Sequence, residues 1–99
     1  MKEGAERLAR LVERWFYSDL DIEFVLKKGR ERLYCKFESD VYYYKGKRRR
    51  GKRRRFLAIH GSDKIYNEIK HLASTGKYYT KEELMNVIKE LDESFEVEA

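Results

Sequence analysis

Nine of the eleven residues from Lys45 to Arg55 are lysine or arginine, and the other two are Gly46 and Gly51. Guanidinium groups fork onto phosphate oxygens, and ammonium groups meet them as point charges. Each cation that neutralises a nucleic-acid phosphate also releases condensed counterions, so such a cluster suits a polyphosphate. Lys45, Lys47, Arg48, Arg49, Arg50, Lys52, Arg53, Arg54 and Arg55 are therefore the candidate nucleic-acid-binding residues. Tyr42, Tyr43 and Tyr44 stand just before them. A ring beside basic groups can stack on an unpaired base, and Tyr43, read as pointing outward, joins the candidate set. The plainer alternatives are that tyrosine is a favoured strand residue and that a charge run is a solvated segment. Cations of nearly one kind hold phosphate without reading bases, so little sequence specificity is expected.

The segment carries +9 and the whole chain +5, so the other 88 residues together carry −4. Like charges ~6 Å apart in water repel by roughly 0.7 kcal/mol per pair. The sequence therefore predicts a hairpin loop over 45–55 that protrudes into solvent and stays out of the core, loosened by its two glycines. Basic runs also bind anionic lipid heads and acidic protein surfaces. The alternative function is thus an assembly or interaction module whose basic loop meets an acidic partner. The acidic stretch from Glu82 to Glu98 of a second copy is one such partner, so monomer and homodimer both fit.

Other reactive residue types offer less. His60-Gly61-Ser62-Asp63 holds three catalytic types, but they sit too close together for a triad, and a helix N-cap explains Ser62 or Asp63 better. Lys64 at that helix start could attract a phosphate, with Asp63 opposing it. Cys35, His60 and His71 form a metal trio only on paper, since Cys35 reads as core and His71 as outward. Glu38 and Asp40 are the acidic pair a nuclease metal would need, without a supporting lysine motif. No glycine-rich phosphate loop occurs. The chain reads as non-catalytic, with no cofactor and no metal. A single cysteine excludes an internal disulfide and suits a reducing compartment. No apolar run approaches the ~20 residues of a membrane span, and charges at Lys2, Glu3 and Glu6 replace a leader's apolar stretch. An intracellular protein is expected.

Elements must position the basic segment, and their periodicities are clear. Leu8, Leu11, Val12, Trp15 and Phe16 form a helical stripe, predicting a helix from Lys2 to Tyr17. Residues 21–27 alternate with a period of two, Lys28-Gly29-Arg30 turns, and Leu33, Cys35 and Phe37 share the face of a second strand. Ser39-Asp40 reads as a tight turn into a third strand, Val41–Tyr44, which would place Tyr42 and Tyr44 on the core face. Phe56–His60 reads as a central strand buried on both faces. A helix follows from Ser62, with Ile65, Ile69, Leu72 and Ala73 inward and Gly76 at its end. Thr80-Lys81-Glu82-Glu83 is a capping box opening a third helix on Leu84, Val87, Ile88 and Leu91. Phe95–Glu98 alternates as a short C-terminal edge strand. The expected fold is one α+β domain over residues 1–99. It has a mainly antiparallel sheet of about four strands, with three helices mostly on one face, in the order α-β-β-β-β-α-α.

Composition adds a last clue. Glutamine is absent, asparagine occurs only at Asn67 and Asn86, and 41% of residues are charged. Few thermolabile amides with many charges mark proteins that work hot, although the absence of proline runs the other way. Taken with Trp15-Phe16-Tyr17, Tyr42-Tyr43-Tyr44 and the run from Lys47 to Arg55, the chain resembles small proteins of unassigned role from the filamentous and rod-shaped viruses of hyperthermophilic archaea, the lipothrixvirus and rudivirus group. The resemblance implies the cytoplasm of an archaeal host, heat tolerance, an unusual fold and no established activity. It assigns no functional residue. Within it, the roles in play are an accessory factor on the viral duplex genome or its transcripts, and an assembly protein.

Overall fold

The alternation of apolar residues that marks the strands also decides which side of the sheet is covered. Phe24 and Leu26, Leu33, Cys35 and Phe37, Phe56 and Val97 are all buried, whereas their sequence neighbours Val25, Lys27, Lys36, Glu38, Arg55 and Leu57 are half-buried and Glu23 and Tyr34 are exposed. One face therefore carries the helices and the other faces water. The computed structural model describes residues 2–15 and 21–99. Its elements are α1 Lys2–Trp15, β1 Ile22–Lys28, β2 Glu31–Tyr44, β3 Lys47–Gly61, α2 Asp63–Ile69, β4 Tyr78–Tyr79, α3 Lys81–Ser94 and β5 Glu96–Glu98. The fold is α+β, with three helices and an antiparallel five-stranded sheet in the order β4-β3-β2-β1-β5. No helix among the described residues is long and apolar enough to cross a membrane.

Leu8 and Val12, four residues apart, are fully buried and seat α1 on the sheet. The expected contributions of Leu11, Trp15 and Phe16, and the helix end at Tyr17, lie outside what is described. α2 is capped by the Ser62 hydroxyl, which accepts from Ile65 N. It ends at Ile69 rather than near Gly76, because Leu72 and Ala73 both donate back to the Ile69 carbonyl and Ser74 N then donates to Phe56 O at 2.9 Å. The capping box of α3 forms in both directions: Glu83 N donates to the Thr80 hydroxyl at 3.3 Å, and Thr80 N donates to the Glu83 carboxylate at 3.1 Å. Those bonds hold the Glu83 carboxyl below its usual range. β5 adds to β1 by pairing Leu26 with Val97.

Two expectations about the strands are corrected. Ser39-Asp40 is no turn, and β2 runs straight through it. Ser39 is buried, and its N–H and hydroxyl both donate to the carboxylate of Asp21 at 3.2 and 3.4 Å. The serine of a pair that reads locally as a turn is thus satisfied by a residue eighteen positions earlier. Phe37 accordingly faces Phe56, and Cys35 faces Ala58. The segment Phe56–His60 is not buried on both faces either. Ile59 and His60 are exposed, because helices cover one side only and β2 holds the central place.

The core centres on three rings, one from each of β1, β2 and β3. Phe24 lies 4.6 Å from Phe37 and 5.7 Å from Phe56, and Phe37 lies 5.4 Å from Phe56. A 14-residue strand spans ~47 Å, close to the molecule's longest dimension of 48 Å against 24 and 18 Å across. The β2–β3 hairpin sets that length. β1 pairs with β2 only as far as Phe37, so the last residues of the hairpin stand beyond the sheet as a bare two-stranded ribbon.

Candidate nucleic-acid interface

The expected basic loop is a strand. Only Lys45 and Gly46 form a turn, both with positive φ, 51° and 76°. Two consecutive residues of that kind make the tight turn whose twist matches a hairpin, so β3 starts at Lys47 at once. The register then pairs Tyr44 with Lys47, Tyr43 with Arg48, Tyr42 with Arg49 and Val41 with Arg50. Mutual repulsion of the cations is overcome by a backbone ladder that spreads successive side chains to opposite faces. Each cross-strand pair nearest the turn joins one tyrosine to one cation.

The ribbon and the sheet meet at an irregularity. Ser39 pairs with Arg54 and Val41 with Arg50, so Asp40 alone on β2 stands opposite Gly51, Lys52 and Arg53 on β3. Such a bulge removes backbone groups from the ladder and bends the strand. Gly51 leaves room for a side chain: a Cβ there would come within 2.0 Å of the Asp40 carboxylate, which would have to shift. Arg54 closes the bulge, its Nη1 donating to Gly51 O at 2.6 Å and to Arg53 O at 3.1 Å. It is only 2% exposed. The expectation that this segment contributes nothing to the interior is therefore corrected, since its guanidinium supplies donors to carbonyls the bulge displaces.

The nine predicted cations thus divide into two groups. Arg50 donates to Ser39 Oγ at 3.0 Å and faces Asp21 at 3.4 Å. Arg55 donates to Glu38 at 2.5 Å, and its guanidinium lies 5.4 Å from the Tyr78 ring. Glu38 also pairs with Lys36 at 2.9 Å. The hydrogen bond from Lys36, then that from Arg55, holds the Glu38 carboxyl below the usual carboxylate range. Arg50, Arg54 and Arg55 belong to the base of the ribbon and hold it. Lys45, Lys47, Arg48, Arg49, Lys52 and Arg53 are exposed and make no ion pair among the described residues. The only such partner of Lys45 is the ring of Tyr44, 5.4 Å away.

The tyrosines are where sequence reasoning fell shortest. Tyr42 and Tyr44, expected on the core face, are 50% and 56% exposed, and Tyr43 is 72% exposed. By alternation Tyr42 and Tyr44 share one face of the ribbon with Arg49 and Lys47, and Tyr43 shares the other with Arg48. A glycine as the second residue of Lys45-Gly46 was the available clue to this register.

Elsewhere the structure separates residue types that the sequence offered as sets. Cys35 is buried in the core, where burial pushes its thiol up to about 12. His60 is exposed and stacks on Tyr34 at 4.6 Å, and His71 meets Glu90 at 2.8 Å. Ser62 is engaged as the α2 cap, Glu38 in its two ion pairs, and Asp40 lies against Gly51. Among the described residues no three of His, Cys, Asp or Glu gather as a metal site. The chain matches no family model, no curated protein and no solved structure.

Proposed function

We propose that the chain binds nucleic acid through the β2–β3 ribbon, gripping the phosphate backbone without strong sequence specificity. The observation that supports this reading most is the set of six exposed cations on the projecting ribbon, one in its turn and five on β3, each without a carboxylate partner among the described residues. Phosphate contacts of that kind position a polymer and leave its sequence unread.

Retardation of duplex DNA, single-stranded DNA, RNA and anionic liposomes, run in parallel, tests it. Six phosphate contacts predict that log K falls against log salt with a slope of roughly −4 on single strands and roughly −5.4 on duplex DNA. Replacing Lys47, Arg48, Arg49, Lys52 and Arg53 with serine should abolish binding and leave the melting temperature unchanged. Arg50 and Arg54 are kept in that variant because they hold the ribbon's base. A serine variant that binds as well as the parent, or a parent that binds liposomes alone, defeats the reading.

A further inference from the structure

From the two edges of the ribbon we infer that its ligand is a single-stranded nucleic acid, laid along the tip with phosphates on the β3 cations and bases against the β2 tyrosines. This rests on the reading of the ribbon as a nucleic-acid interface and specifies the polymer's form. The tip is divided lengthwise. From Tyr42 to Tyr44, β2 carries aromatic rings and no cation; from Lys47 to Arg53, β3 carries cations and no ring. The register sets each ring across from one cation, Tyr42 with Arg49, Tyr43 with Arg48 and Tyr44 with Lys47. Directly opposed residues have Cβ atoms ~5 Å apart. Each pair therefore offers one flat apolar surface and one positive charge, the two features of a single nucleotide.

The spacing along the ribbon agrees. Side chains on one face of a strand repeat every ~6.8 Å. An extended, unstacked strand of nucleic acid repeats at about twice the ~3.4 Å rise of a duplex strand. Tyr42–Arg49 and Tyr44–Lys47 lie on the same face and so match two successive nucleotides, with Tyr43–Arg48 available on the other face. The rings are accessible, although the Lys45 ammonium already lies 5.4 Å from that of Tyr44. Half or more of each is in water, and their cross-strand neighbours are cations rather than the rings that would pack them into a sheet. Tyr34, by contrast, is already stacked on His60.

A duplex uses the same tip poorly. Its bases are stacked on one another, out of reach of the rings. A ribbon inserted in the major groove would turn its cationic edge to one phosphate wall and its tyrosine edge to the other. An acidic peptide or a lipid surface likewise leaves the rings without planar partners. Base–aromatic stacking tolerates any base, consistent with a site that holds polymer without reading it. DNA and RNA single strands share this chemistry.

Fluorescence anisotropy with the full chain and labelled 12-mers tests the inference: oligo(dT), oligo(rU), an abasic strand of equal charge, and a dA·dT duplex. Each engaged ring should contribute about 5- to 150-fold in affinity. The oligo(dT) and oligo(rU) strands should therefore bind at least about tenfold tighter than the abasic strand and tighter than the duplex. The Tyr42→Leu/Tyr44→Leu variant should lose that advantage while keeping its grip on the abasic strand, and Tyr42→Phe/Tyr44→Phe should retain it. Equal binding of abasic strand and oligo(dT), or tighter binding of the duplex, overturns the inference and leaves phosphate binding standing. Binding to none of the four polymers removes both. The abasic comparison needs no variant, so it stands even where a substitution disturbs folding.

Discussion

From Leu33 to Ser39, strand β2 pairs with β3 over a helix-covered core; from Val41 to the turn, the same two strands run beyond β1 and pair only with each other among the described residues. The ladder is antiparallel in both stretches. The side chains differ. At the base, Phe37 and Phe56 pair with their rings 5.4 Å apart; at the tip, the three pairs nearest the turn each join a solvent-exposed tyrosine to a cation. An isolated two-stranded hairpin is marginal in water, so the tip owes its order to the base that anchors it. Burial stabilises one half, and the other half is left with its chemistry exposed. Substitutions should reveal the boundary at the bulge.

The largest contrast is expected between matched ring deletions. Phe37→Ala should cost about 3–5 kcal/mol, lowering the melting temperature by roughly 15 °C or more. Tyr43→Ala, six residues along the same strand, should stay within about 0.5 kcal/mol. Denaturant titration of the two variants measures both, and equal losses would show that the tip is packed after all.

Next comes the joint itself. Arg54→Ala strands the Gly51 and Arg53 carbonyls and should cost about 1–3 kcal/mol. A lysine at position 54 should not recover the loss, because its side chain ends one bond short of the Nη1 that makes both hydrogen bonds. Smaller again is Gly51→Ala, near 1 kcal/mol, since its Cβ meets the end of one short side chain. Adding Asp40→Ala should relieve that clash, giving a coupling of at least about 0.5 kcal/mol in a double-mutant cycle. Additive losses would mean that Asp40 and Gly51 do not constrain one another.

The smallest effect is a pH dependence. Glu38 has its pKa lowered in the fold by Lys36 and Arg55. Its contribution is therefore present above the unfolded carboxyl value of ~4.3 and is lost as pH falls through the lower folded value. The pair is partly exposed, which limits the contribution to about 1 kcal/mol. Glu38→Gln should flatten the stability curve in that acid window and change little at pH 7 relative to pH 6. An unchanged acid limb would assign the acid sensitivity to other carboxylates.

Much of the scaffold was legible because its causes are local. Leu8 and Val12 share a helix face through the 3.6-residue period, Thr80 and Glu83 cap a helix within one turn, and Leu33, Cys35 and Phe37 alternate on one strand. The charge of Lys45–Arg55 is likewise a property of composition, visible without coordinates. The partition of those charges was not. Whether Arg50, Arg54 and Arg55 serve the fold or the surface depends on Asp21, on the bulge carbonyls and on Glu38.

The residues themselves determined that three amphipathic helices and a sheet would form and that one segment would repel its own kind. Only the tertiary structure decided that this segment is a strand, that Ser39-Asp40 passes through without turning, and that a tyrosine edge lies beside a cationic one. The reason is physical. Period and capping act over a few neighbouring residues, whereas register and side-chain partnership depend on which distant groups the fold brings within hydrogen-bonding range.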